Sequence, residues 1–232
     1  MTTEEDAAAK LVAQLGQLDT CAISDALDSL GLLDFVVDGV ERLSTDRRLV
    51  GRVITVQLGS PDGTPSDRHL GTTAIDAADE FSVIILGGGR DDAGGWGGLL
   101  SRAAVCRGVR GVIVDGGVRD VDEAEQIGFA VFGRRGAPRT ARGRVKELST
   151  GDPVSIGPVL VRTGDYVVAD GTGVVVVPCE HIDAVVSAAE RLTARETLII
   201  AELERGVSAS AALGANYEDM LDGLDPTTNS ED

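Results

Sequence analysis

The chain has 232 residues and a formal net charge of −17, from 21 Lys and Arg against 38 Asp and Glu. That length fills one large domain with its own core, and that charge offers nucleic acid or an anionic membrane no attractive surface. Small anions would have to be caught by arginines placed locally.

Residues 7–15 are rich in alanine and leucine and run into Gly16, and Thr20 is a candidate cap for a second short helix ending at Gly31. The opening Met1-Thr2-Thr3-Glu4-Glu5-Asp6 is acidic where a secretion signal is basic, and no apolar run reaches membrane-spanning length, so a soluble, cytoplasmic protein is expected. Cys21, Cys106 and Cys179 stand singly among small or apolar neighbours and read as buried free thiols in a reducing compartment.

Residues 49–58 are rich in β-branched side chains and read as a strand, and 81–86, apolar but for Ser82, as a strand covered on both faces. The pattern then alternates: helix over 97–107, strand over 111–114, helix over 120–127, strand over 129–132. Such an order predicts an α/β fold with a parallel core sheet and right-handed crossovers. Residues 133–146 carry Arg134, Arg135, Arg139, Arg142 and Arg144, either a solvated or inter-subunit loop or a rim that draws anions inward. Short strands at 154–156, 159–161, 166–168 and 174–177, separated by glycine turns, read as a hairpin layer against the core. A long helix over 181–205 closes the domain. Residues 1–215 are thus expected to form one domain, and 216–232 an acidic, disordered tail.

Two stretches carry the chemistry. Gly94-Gly95-Trp96-Gly97-Gly98-Leu99-Leu100 opens a helix whose unpaired N–H groups at Gly98, Leu99 and Leu100 can hold a carboxylate or phosphate. Gly111 to Asp120 ends on Arg119-Asp120, where an arginine fork suits a carboxylate and an aspartate suits a hard cation. On local grounds alone Asp120 reads first as a helix cap. Asp115, beside Gly116-Gly117, reads as a turn residue, as do Asp91 and Asp92, and Trp96 reads as packing for the glycine run. The glycine loop fails the dinucleotide fingerprint, because Asp92 stands where the third glycine belongs after Gly87 and Gly89. Lys10 and Lys146, the two lysines, sit in a terminal helix and a polar loop, so a Schiff-base lysine is disfavoured. With only His69 and His181, there is no zinc-type cluster.

These two motifs, the later Arg162-Thr163-Gly164-Asp165-Tyr166 to Pro178 block and the terminal helix together resemble the RraA-like family over roughly residues 20 to 205. Within that family stand 4-hydroxy-4-methyl-2-oxoglutarate / 4-carboxy-4-hydroxy-2-oxoadipate aldolases, oxaloacetate decarboxylases and non-enzymatic regulators of ribonuclease activity. The resemblance implies a swivelling β/β/α domain with a second β layer, assembled as a homotrimer or homohexamer with sites at subunit interfaces. It further implies that Asp120 binds Mg²⁺ or Mn²⁺, that Arg119 binds the oxoacid, and that the N–H groups of Gly98, Leu99 and Leu100 grip its carboxylate. The implied reaction is lyase chemistry on a small 2-oxo(di)carboxylate, either retro-aldol cleavage to pyruvate or oxaloacetate decarboxylation, in which cation and donors stabilise an enolate. Active aldolases of the family carry an acid where this chain has Gly98, and Asp91 and Asp92 in the upstream glycine-rich loop are the alternative acids if they do not simply form a solvated turn. A binding or regulatory protein, or a different reaction on the same scaffold, therefore stands as the alternative. In the terminal helix Glu196 interrupts an apolar stripe between Leu192 and Ile199, and is a candidate to reach a neighbouring subunit's site.

Overall fold

A computed structural model describes residues 2–64 and 68–214; the expected acidic tail lies outside the described residues. Two helices come first, α1 (Thr2–Leu15) and α2 (Thr20–Ser29). The cap of α2 is Asp19, whose carboxylate accepts the Ala22 N–H at 2.8 Å, and not Thr20, which already lies inside the helix. Thr20 instead gives its hydroxyl and N–H to Asp170.

The strands are β1 (Val36–Val37), β2 (Glu41–Arg42), β3 (Leu49–Gly59), β4 (Ser82–Gly87), β5 (Gly94–Trp96), β6 (Gly111–Val118), β7 (Ala130–Gly136), β8 (Lys146–Thr150), β9 (Val154–Ile156), β10 (Val159–Val161), β11 (Tyr166–Ala169) and β12 (Val174–Val177). Between them lie α3 (Thr72–Ala77), α4 (Gly98–Cys106) and α5 (Val121–Gln126), and α6 (Ile182–Glu204) follows. One sheet runs in the order β1-β12-β11-β3-β4-β6-β7-β2. Its centre, β3-β4-β6-β7, is parallel, as the alternating pattern predicts, and its edges are antiparallel. Only β9 and β10 form a separate hairpin; β11 and β12 join the main sheet, which corrects the expectation of a four-strand layer.

Alternation along the strands sorts the core into layers. Ile84 and Leu86 of β4 pack with Trp96, Leu100 and Phe129 under α4 and α5, whereas Val83 and Ile85 face Ile156, Val159 and Val161 of the hairpin. Val168 and Val175 meet α2 and α6 on the helix-covered face. The result is hairpin on sheet on helices. Cys21, Cys106 and Cys179 are free, as expected, but all three are exposed, because each sits on a helix surface turned from these layers. Among the described residues no helix is long and apolar enough to cross a membrane.

Candidate functional site

Pairing of β5 with β6 brings the two sequence motifs together. Gly94 lies opposite Gly117 and Trp96 opposite Val118, and the Arg119 N–H donates to the Trp96 carbonyl at 2.9 Å. Trp96 anchors the run: it is buried, stacked on Phe129 with centroids 6.3 Å apart, and its indole N–H donates to Ser101 Oγ at 3.0 Å.

β6 is four residues longer than expected. Asp115, Gly116 and Gly117 lie within it, and Asp115 is an ion-pair partner of Arg134 at 2.6 Å, not a turn residue. Extending the strand places Arg119 and Asp120 directly against the glycine run. A Cβ on Gly94 would overlap the Arg119 Cγ, and one on Gly97 would come within 3.0 Å of Asp120 Oδ2, so glycine there is a condition of the close approach.

Asp120 has φ 58° and ψ 39°, left-handed backbone that aspartate enters more readily than most residues. It makes no side-chain cap for α5, which removes the local capping role. Its Oδ2 accepts the Gly98 N–H at 2.9 Å instead, tying the strand exit to the start of α4. Of the three N–H groups read as substrate donors, Gly98 is therefore taken by Asp120. Those of Leu99 and Leu100 follow in the same first turn, where no intrahelical acceptor exists.

Arg119, Asp120 and residues 94–100 line a cavity of about 180 Å³. His69, Leu70, Thr140 and Ala141 complete its wall, and nothing in the sequence around His69 or Thr140 marks either for the site. Their placement depends on chain crossings, such as the Gly94 N–H donating to the Arg139 carbonyl at 2.9 Å, that no local pattern announces. A larger hollow of about 510 Å³ beside α1, near Arg48 and Arg110, holds none of the candidate residues.

The arginines divide by partner. Arg134 is held by Asp115, Arg139 by Asp92 at 2.8 Å, and Arg144 by the carbonyls of Thr140 and Arg142, so much of the arginine-rich segment braces the fold. Asp92, bound by Arg90 and Arg139, is held below the usual carboxylate range chiefly by the Arg90 hydrogen bond and is committed to those partners. Arg119 is different: among the described residues its guanidinium has no carboxylate partner, and the residue is half-buried and lines the cavity.

Asp120 offers one carboxylate with one oxygen already engaged, and among the described residues no three His, Cys, Asp or Glu gather as a metal cage. That donor set suits a hard cation that keeps most of its water and takes further oxygens from substrate, as Mg²⁺ or Mn²⁺ does.

A family model described as RraA-like, Aldolase/RraA, matches residues 20–176. The chain belongs to the RraA-like family. Among its relatives, Protein DlpA of Legionella pneumophila is 28% identical over 216 residues, covering 93% of this chain but 34% of DlpA, so the chain spans only part of that relative. A protein of Halalkalibacterium halodurans named "Putative 4-hydroxy-4-methyl-2-oxoglutarate aldolase" is 28% identical over 221 residues, 90% of this chain and 95% of its own. The crystal structure of an uncharacterized protein from Pseudomonas syringae pv. tomato aligns with a TM-score of 0.80 at 31% identity, over 88% of this chain and 93% of that one. The fold is thus shared over most of this chain.

Glu196 is placed elsewhere within one chain. It lies half-buried on α6 and does not line the cavity. Burial first, then the charges of Asp19 and Asp25 on the α2 side, raise its pKa. A carboxylate whose folded pKa is raised costs stability above that pKa, and the cost fades as pH falls through it. Glu196→Gln should therefore raise the melting temperature by roughly 1–2 °C at neutral pH, with the gain vanishing near pH 4. Thermal melts at the two pH values check this.

Proposed function

We propose that this RraA-like protein is a divalent-metal-dependent carbon–carbon lyase acting on a small 2-oxo(di)carboxylate, by retro-aldol cleavage that yields pyruvate or by decarboxylation of oxaloacetate. The observation that carries the reading is the meeting, in one cavity, of an arginine that has no carboxylate partner among the described residues, an aspartate locked in left-handed backbone, and the open first turn of α4. Relatives named as aldolases give the same direction.

Asp120 would hold Mg²⁺ or Mn²⁺, which when bound supplies a Lewis acid for the charge that gathers on a keto oxygen as an adjacent carbon–carbon bond breaks. The chain's own groups do the rest. Arg119 presents a planar fork to a substrate carboxylate, and the N–H groups of Leu99 and Leu100 aim two neutral donors at the same region, fixing the molecule's orientation without further net charge. Trp96 and the rest of β5 hold that first turn rigid, so little reorganisation is needed when charge develops.

The test is a screen of 2-oxoacids with Mg²⁺ or Mn²⁺, following pyruvate release and solvent-deuterium exchange into pyruvate. Metal-dependent cleavage or exchange is expected. A protein that binds neither cation and exchanges no proton would overturn the reading in favour of a binding role.

The same reading includes a homotrimer or homohexamer. Leu99, beside the cavity, is 84% exposed, a large apolar group that a second copy would cover. Glu196 would then serve a neighbouring site from α6. Light scattering should give the trimer or hexamer mass for wild type and Glu196→Gln alike, while the variant turns over about 10-fold more slowly. Unchanged turnover would reduce Glu196 to a residue of the α2–α6 contact.

A further inference from the structure

Gly98 opens a space that another helix fills. Glu123 of α5 reaches across to α4, where its Oε1 accepts from Arg102 Nε at 2.5 Å. Its second oxygen stands over Gly98: a Cβ added there would fall on Oε2, 2.7 Å from the Glu123 Cδ and 3.3 Å from the Asp120 Cβ. Gly98 is an ordinary helical residue without positive φ, so its backbone would accept a side chain. What occupies the space is the Glu123 carboxylate.

Two positions on α4 set this up. Residues 98 and 102 are four apart and share one helix face, the first leaving room and the second supplying the cation that pins the acid. An exposed ion pair of this kind adds under about 1 kcal/mol to stability, which gives little reason to hold a long side chain against the helix start. The position itself, over the first turn and next to Asp120, is what the arrangement secures.

We propose that Glu123 is the second carboxylate of the site, a positioning residue that orders the water around a cation held by Asp120. This rests on the metal-dependent reading above. The acid reaches the helix start from α5 instead of being carried by α4 at position 98. A lone Gly98→Asp substitution would then place two carboxylates in one space and bring no gain.

Calorimetric titration of Mn²⁺ into wild type, Asp120→Asn, Glu123→Gln, Glu123→Ala and the double variant Gly98→Asp/Glu123→Ala tests the assignment, with circular dichroism and melting temperature as controls on folding. Glu123→Gln keeps an acceptor for Arg102 and should bind Mn²⁺ about 10-fold more weakly, the size of effect seen when an outer partner of a metal site is lost. The double variant should recover most of that loss. Wild-type affinity in Glu123→Gln, alongside loss in Asp120→Asn, would overturn the role of Glu123 alone. Weakening without recovery in the folded double variant would also overturn it, marking Glu123 as a structural partner of Arg102. A wild-type protein that binds no Mn²⁺ would overturn the metal reading and the assignment together.

Discussion

Asp120→Asn is expected to abolish Mn²⁺ binding and to lower kcat/KM by about 10³-fold, the scale on which loss of a preorganised charge-stabilising group is felt, with little change in melting temperature. The choice of asparagine follows from the geometry. Asn tolerates left-handed backbone nearly as well as Asp, and its side-chain oxygen still accepts the Gly98 N–H that Asp120 takes at 2.9 Å. Only the charge is removed. Asp120→Ala would additionally leave that N–H without its partner and strain a position at φ 58°, costing about 1–2 kcal/mol. The alanine variant should therefore melt lower than the asparagine variant while showing the same loss of metal. Retained Mn²⁺ affinity in a folded Asp120→Asn protein, measured by calorimetry, would remove Asp120 from the site.

The parallel centre of the sheet was legible because β4 and the first half of β6 are buried on both faces, which leaves a continuous apolar run that no surface element shows. The second half of β6 was not. Asp115, Gly116 and Gly117 have turn composition, yet backbone pairing with β7 and the Arg134 ion pair carry the strand through them to Val118. Tertiary contact there overrides local preference, and it does so where the site is built. The pair Arg119-Asp120 was readable as a motif, but the matching glycines at 94 and 97 owe their meaning to side chains 25 and 23 positions onward. Glu123 shows the limit more sharply. In sequence it is one of two acids in the first turn of α5, with Asp122, suited to the helix dipole; only the contact between α4 and α5 reveals that it occupies the space above Gly98. The exposure of the three cysteines likewise depends on which helix face turns outward, a choice their small neighbours leave open.

Arg119→Lys should raise KM for a 2-oxoacid by about 10- to 100-fold while changing kcat much less, because an ammonium is a point charge and cannot make the paired donors of a guanidinium. The aliphatic stem is not the issue. It runs across Gly94 and past Gly97, a track that a lysine chain can follow equally well. The fold does not depend on the guanidinium either, since among the described residues it makes no ion pair, unlike Arg134 with Asp115 or Arg139 with Asp92. Loss of saturation with an unchanged melting temperature would thus isolate recognition from stability. The outcome also bears on the charge of the whole molecule: in a chain of net charge −17 an anionic substrate is repelled at long range, so the Arg119 guanidinium at the cavity must supply local attraction. Raising the ionic strength should then narrow the difference between Arg119→Lys and wild type only slightly, because contact at a half-buried group is weakly screened. Wild-type saturation kinetics in Arg119→Lys would mean that the carboxylate is held by the Leu99 and Leu100 N–H groups and the cation alone.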